Sequence, residues 1–214
     1  MAPRKISNLL ALAVLSLLNE RPMHPYEVSA VMRQRELATV IKLNYGTLYS
    51  VIEALQRQGL VAPVGTQREG RYPERTVYAT TEAGKAELID WLRSLLRTPV
   101  TEYTHFAAAL AFLGNLSPAE AATLLEEHSR HLQEQIDGAR SMIERASQLG
   151  VDRLFLVEDE YTHVMLQARF NFIQQLIQEI NDGTLTEPAD GQLKWKIHHP
   201  DLALLQAEPG TDGE

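Results

Sequence analysis

Apolar residues fill almost every position from Ile6 to Leu18, the pattern of a helix buried on several sides. The stretch RPMHPYEVSAVMRQ predicts a second helix, with Pro25 at a first helical position and Tyr26, Val28, Val31 and Met32 supplying apolar surface. A third helix is clearest in NYGTLYSVIEALQRQGL. There Leu48, Val51, Ile52 and Leu55 recur at i, i+3, i+4 and i+7, Asn44 suits the N-cap, and Gly59 suits the stop. With that stripe turned inward, Gly46, Ser50, Glu53 and Arg57 take the opposite face, flanked by Thr47 and Tyr49. Two short β-prone runs follow, LVAPVGTQ and RTVYAT, separated by REGRYPE, whose turn residues and arginines predict a hairpin with a basic tip. Thr81 is placed to cap a fourth helix running to about Leu96, and Pro99 marks its end. Tyr26 and Tyr78 lie among apolar neighbours and are expected to pack.

Past Pro99 the pattern stays helical. Tyr103 to Leu113 is apolar and alanine-rich, and Ser117-Pro118-Ala119-Glu120 combines an N-cap, a first-turn proline and a glutamate at the third helical position. A long helix follows to about Leu149, and another from about Leu154 to Ile180 carries enough apolar surface to want both its neighbour and a second copy of the chain. From Asn181 the Gly, Pro and acidic content rises. The pattern therefore divides the chain into residues 1–97, residues 98–182 and an extended or disordered tail over 183–214, in which Trp195 is the one residue expected to dock.

Charge sharpens this division. The formal net charge is −8, which taken alone argues against a nucleic-acid partner. Residues 1–81 hold ten lysines and arginines against six acids, a local +4, so the remainder carries −12. A basic front and an acidic back imply different partners for the two parts. The chain has no cysteine, which removes disulfides, thiolate metal sites and thiol nucleophiles, and fits a cytoplasmic location. The first apolar run is short for a membrane span, so no membrane partner is expected.

Three helices, a hairpin with a basic tip and a following helix are the parts of a winged helix-turn-helix, in which the third helix enters the DNA major groove and the wing reaches flanking phosphates. The fold class expected is mainly α with a small β-hairpin: an N-terminal winged helix-turn-helix plus a C-terminal helical dimerisation domain. Candidate DNA-binding residues are Lys42, Asn44, Tyr45, Gly46, Thr47, Tyr49, Ser50 and Arg57 around the third helix, and Arg68, Arg71 and Arg75 in the hairpin. Gly46 permits close backbone approach, the hydroxyls donate hydrogen bonds, and the arginines supply charge.

The stretches PMHPYEV, NYGTLYSVIEALQRQGLV and GRYPERTVYATTEAGKAEL occur in order and at suitable spacing across residues 6–97, and they resemble the PadR family of transcriptional regulators. This chain has Pro25 where that family usually has Gly, and Ser50 where it usually has Pro. The resemblance implies a homodimer built largely by the C-terminal helices, binding a roughly palindromic operator in double-stranded DNA. The long acidic C-terminal part is similar to the extended subclass. Regulators of this kind usually repress, and many release DNA on meeting a small-molecule effector or a stress signal. Trp91 is a candidate for lining an effector site, with helix packing as the blander account.

One other chemistry competes. The tetrapeptide EYTH occurs twice, placing Glu102 with His105 and Glu160 with His163, each pair on one helical face as in di-metal carboxylate bundles. Such a bundle needs further inward carboxylates, and Glu127 and Glu134 both fall on a single helix. The run Glu158-Asp159-Glu160 has Arg140, Arg145 or Arg169 as possible ion-pair partners. His128 with His131, and His198 with His199, are weaker metal signals. No nucleophile motif, phosphate loop or dinucleotide fingerprint appears. The expectation is a DNA-binding regulator, not an enzyme, with no cofactor or catalytic metal. The alternative is a metal- or ligand-binding helical protein whose winged helix mediates protein interaction.

Overall fold

A computed structural model describes residues 8–37, 40–67 and 75–196, the side chains of Tyr45 and Gln67 excepted. The chain divides into two compact units, Met1–Glu102 and Tyr103–Glu214. Among the described residues no helix is long and apolar enough to cross a membrane.

The first unit is built around helix α1 (Leu9–Glu20), capped by Asn8, whose side chain accepts from the Leu10 amide at 2.8 Å. Leu10, Ala11, Val14, Leu15, Leu17 and Leu18 are all buried, so α1 is wrapped by the rest of the unit. Helix α2 (Pro25–Gln34) opens with Pro25 as expected, and its N-cap is His24, whose Nδ1 accepts from the Glu27 amide at 3.1 Å. Helix α3 (Tyr45–Arg57) buries Leu48, Val51, Ile52 and Leu55, the stripe its sequence predicts. It stops at Gly59 with φ of +71°, where the Gly59 amide donates to Gln56 and the Leu60 amide to Leu55, both at 2.9 Å. That pair of bonds is the Schellman termination, and it needs the left-handed backbone a glycine supplies.

Strands β1 (Val61–Gln67) and β2 (Arg75–Thr80) pair antiparallel, with a register shift between Pro63 and Gly65 that leaves Val64 as an exposed extra residue. Met23 adds a bridge on the far side of β2, exchanging both backbone hydrogen bonds with Tyr78 at 3.0 and 2.9 Å. The polar groups of Tyr78 therefore point toward Met23, and the opposing Pro63, which lacks an N–H, loses nothing. The sequence pattern does not reveal this third edge.

Helix α4 (Glu82–Arg97) starts at Thr81, whose Oγ accepts from the Gly84 amide at 3.1 Å while donating to the Gly59 carbonyl at 2.7 Å. One threonine thus ties the end of α3 to the start of α4. Trp91, on α4, is 4% exposed and lies in the core with Leu88 and the α1 leucines.

In the second unit, helix α5 (His105–Ala111) precedes a hairpin of long helices, α6 (Pro118–Gln148) and α7 (Val157–Asn181). Ser117 caps α6, accepting from the Glu120 amide at 3.2 Å. Leu125 and Leu132 of α6 pack with Ile173, Ile177 and Ile180 of α7, and inside this seam Gln174 donates to the buried Ser129 hydroxyl. Part of the region expected to be an extended or disordered tail is a second hairpin, β3 (Thr186–Ala189) and β4 (Gln192–Trp195). Its turn, Asp190-Gly191, has φ of +56° and +78°, the two-residue geometry that Asp-Gly favours. The Trp195 indole donates to the Leu116 carbonyl at 2.8 Å and packs against the seam, so this tryptophan docks as expected. His198 and His199 lie outside the described residues.

Candidate nucleic-acid interface

The outer face of α3 is polar and open. Gly46, Thr47, Tyr49, Ser50, Glu53 and Arg57 are all exposed, Tyr49 at 51%, and Lys42 is exposed in the segment leading into the helix. Burial of the Leu48 stripe is what fixes this orientation, because the two faces of one helix cannot both turn inward. Asn44 is occupied locally: its Oδ1 accepts from the amides of Gly46 at 3.0 Å and Thr47 at 3.5 Å. It holds the start of the helix, and Ser50 donates its hydroxyl proton to the Gly46 carbonyl at 3.1 Å, leaving its lone pairs outward. A β-carbon built on Gly46 meets only Asn44 Oδ1 at 3.6 Å, an ordinary contact. Nothing in the described chain requires glycine there.

Arg75 stands at the base of the returning strand, with its guanidinium 5.3 Å from the centroid of the Tyr26 ring. Tyr26, expected to pack, is instead 53% exposed, because its place in the first turn of α2 faces away from Val28 and Met32. Its ring stacks on His24 at 6.2 Å and 27°. Tyr78 does pack against the core. Between α2, α3 and β2 lies an open cavity of about 230 Å³ whose walls include Tyr26, Tyr49, Ile52, Glu53, Arg75 and Tyr78. Tyr26 thus shares this cavity with the candidate residues Tyr49 and Arg75, although an aromatic between Pro25 and Val28 reads as packed apolar surface. Arg68 and Arg71 lie outside the described residues, as does the side chain of Tyr45.

Away from this face, ionic groups serve the scaffold. Arg35 holds the Glu20 carboxyl below the usual range through paired hydrogen bonds at 2.6 and 2.7 Å. Glu102, the last residue of the first unit, and His105, in the second, are both exposed, and Thr104 caps α5. Glu160 is gripped by Arg153, not by the Arg140, Arg145 or Arg169 anticipated, at 2.9 Å from Nη2 and 3.1 Å from Nε. The turn before α7 delivers Arg153 to that helix's first acidic turn, a closer partner than any on a neighbouring helix. Among the described residues no group of three or more His, Asp or Glu side chains is placed to hold a metal.

Residues 14–90 match the transcriptional regulator PadR-like family. The negative transcriptional regulator PadR of Bacillus subtilis is 25% identical over 133 residues, 62% of this chain and 72% of that protein. The structure of Bacillus subtilis PadR in complex with operator DNA superposes with a TM-score of 0.66 at 20% identity, covering 81% of this chain and 99% of that one. The Vibrio cholerae virulence activator AphA gives 0.59 at 17% identity, covering 81% of this chain and 98% of that one. These structural likenesses establish the fold, mainly α-helical with a winged helix-turn-helix at the N-terminus. That family consists of regulators of transcription, not enzymes. The likeness to the PadR-like family of transcriptional regulators is carried by residues 14–90 of this chain.

Proposed function

We propose that this chain is a cytoplasmic homodimer that binds a pseudo-palindromic operator and represses transcription. The observation that supports DNA binding most directly is the exposed face of α3, where Gly46, Thr47, Tyr49, Ser50 and Arg57 stand outward beside the strand carrying Arg75. The local positive charge of the first 81 residues supplies the sequence-independent part of the affinity, and the hydroxyls and backbone of α3 supply the fit to base edges. Arg68 and Arg71, outside the described residues, add to the positive charge of this part of the sequence.

Support for the dimer comes from α7. This helix has two apolar faces: Ile173, Ile177 and Ile180 lie against α6, while Val157, Tyr161, Val164, Met165 and Phe172 form an exposed stripe on the other side. A stripe of that length on a regulator that meets a two-fold operator is covered by a second copy of itself. The two α3 helices would then enter successive major grooves about 34 Å apart. Repression is the sense of regulation carried by the Bacillus subtilis sequence relative, which is named a negative regulator. Bacillus subtilis PadR has also been solved with p-coumaric acid, and a small-molecule effector that releases DNA is the control we assign here. Trp91, buried in the core of its unit, would serve such an effector only through a rearrangement of α4.

The test is a mobility shift with the purified protein and a duplex from upstream of its own gene, in parallel with light scattering for mass. A shifted complex that weakens steeply with salt, from a species of twice the chain's mass, is expected. A monomer, or binding that ignores salt, would defeat the reading.

A further inference from the structure

We propose that Glu53 is a specificity-determining residue of the DNA interface, its carboxylate accepting from the N4 amino group of one cytosine per half-site in the major groove. This role rests on the DNA-binding reading and adds to it the identity of one base pair. Gly46, Ser50, Glu53 and Arg57 recur at i, i+4, i+7 and i+11, so they lie within about 60° of one another around α3. They stand opposite the buried Leu48, Ile52 and Leu55, which puts the exposed Glu53 on the crest of the outward face and not at its margin. The positions before it on that crest are short. Gly46 has no side chain, and the Ser50 hydroxyl is turned back onto the Gly46 carbonyl at 3.1 Å. Glu53 is thus the first side chain along the crest that reaches well beyond the helix surface, about 10 Å from Gly46 along the axis.

Charge makes this placement selective. Other glutamates of the chain are matched by a nearby arginine: Glu20 by Arg35, Glu27 by Arg21 and Glu160 by Arg153. Glu53 forms no ion pair or hydrogen bond with another described residue, not even with Arg57 one turn along the same face. A carboxylate brought into the groove is repelled by the phosphates of both walls, so a favourable contact needs a base edge that donates. Cytosine N4 and adenine N6 are the two amino donors of the major groove. A carboxylate only accepts, and adenine sets its own acceptor N7 beside N6, whereas the cytosine edge presents the amino group by itself. That asymmetry selects cytosine. An amide in the same place both donates and accepts, and fits N6 and N7 of adenine together.

The test is selection by the intact protein from a pool of duplexes of about 30 base pairs with a randomised centre, followed by sequencing of the bound fraction. The parent should select a motif with cytosine at one position of each half-site. Glu53→Gln should change that position to adenine, and Glu53→Ala should lose the choice there, while both keep the rest of the motif. Retention of the other positions also shows that each variant is folded, and if Glu53→Ala unfolds, the isosteric Glu53→Gln decides the matter. Labelled duplexes then give the size of the effect: replacing the selected C·G pair should weaken the parent about tenfold and leave Glu53→Ala unchanged. Variants that keep the parent motif at every position, whether or not they bind all duplexes more tightly, would overturn the role of Glu53 and reduce it to a repelling surface charge. A parent motif whose Glu53-dependent position is adenine would overturn the assignment to cytosine. A parent that selects no motif at all would overturn the DNA-binding reading itself.

Discussion

Two glycines in the first unit make opposite predictions, and the pair tests how the fold and the interface divide the sequence between them. A β-carbon on Gly84 would lie 2.0 Å from the Leu60 carbonyl oxygen, 2.7 Å from Thr80 Cγ2 and 2.9 Å from the Leu60 carbonyl carbon. The nearest atom is backbone, so no side-chain rotation relieves the clash. Leu60 cannot retreat alone either. Its carbonyl accepts from the Thr81 amide at 3.0 Å and the Thr81 hydroxyl at 3.2 Å, and its amide completes the termination of α3. Overpacking of this kind costs roughly 1–3 kcal/mol, and disturbing the Thr81 cap adds about 1 kcal/mol. The gain in helix propensity from glycine to alanine returns at most about 1 kcal/mol. Gly84→Ala should therefore destabilise by about 2–3 kcal/mol, which for a unit of this size lowers the melting temperature by about 10–20 °C.

Gly46→Ala is the internal control. Its β-carbon meets one side-chain oxygen at 3.6 Å, so stability should be unchanged or higher by about 0.5 kcal/mol. DNA affinity should nevertheless fall, since the added methyl stands on the face that approaches the groove. Thermal melts of the intact chain by circular dichroism, paired with DNA binding, read both effects. The reasoning fails if Gly84→Ala melts within about 3 °C of the parent, or if Gly46→Ala proves the less stable of the two.

Other consequences can be measured in the same way. Tyr49→Ala and Arg71→Ala should each weaken operator binding while leaving the mass in solution unchanged, and equal affinity in both would count against the α3 and hairpin assignment. Trp195→Ala removes the bond to Leu116 and a partly buried ring, and should cost about 2 kcal/mol in urea unfolding. Burial, then the nearby Arg169 and His131, push the His128 pKa below its ordinary value. The folded state therefore resists a proton that the unfolded chain accepts near pH 6.5, so His128 should lower stability as pH falls below that point and have no effect well above it. His128→Gln should flatten this part of the stability profile, and a profile identical to the parent's would refute the assignment. Phe172→Glu, on the exposed stripe of α7, should yield a folded monomer by light scattering.

Much of the first unit was legible because its signals are local and agree with one another. The Leu48 stripe, the Asn44 cap and the Gly59 stop each act within a few residues, and together they fix both the helix and the face it leaves outward. What escaped reading depends on partners distant in sequence. Met23 becomes a strand edge only because Tyr78 arrives beside it, and Tyr26, exposed on the first turn of α2, has the Arg75 guanidinium over its ring from a strand distant in sequence. The β3–β4 hairpin is a different case. Its Asp190-Gly191 turn was a readable signal, but four-residue strands beside Pro188 and acidic residues look like a tail until Trp195 is seen to anchor them.

The repeated EYTH shows why a short pattern cannot assign chemistry by itself. In the first copy Thr104 is an N-cap, accepting from the Ala107 amide at 3.2 Å, and the flanking Glu102 and His105 are exposed. In the second copy Thr162 lies inside α7, its hydroxyl donating to Glu158 at 3.2 Å, and Glu160 is held by Arg153. The same four residues start one helix and continue another, so Glu and His share a helical face only in the second. Even there the carboxylate is engaged by a guanidinium, which also holds its pKa below the ordinary range, and only His163 keeps a buried Nδ1 without a hydrogen-bond partner. A metal bound at this pair would have to displace Arg153 first. Zinc titration of the Arg153→Ala variant against the parent therefore separates the two accounts: if Arg153 blocks a latent site, only the variant binds, and if EYTH is purely structural, neither does.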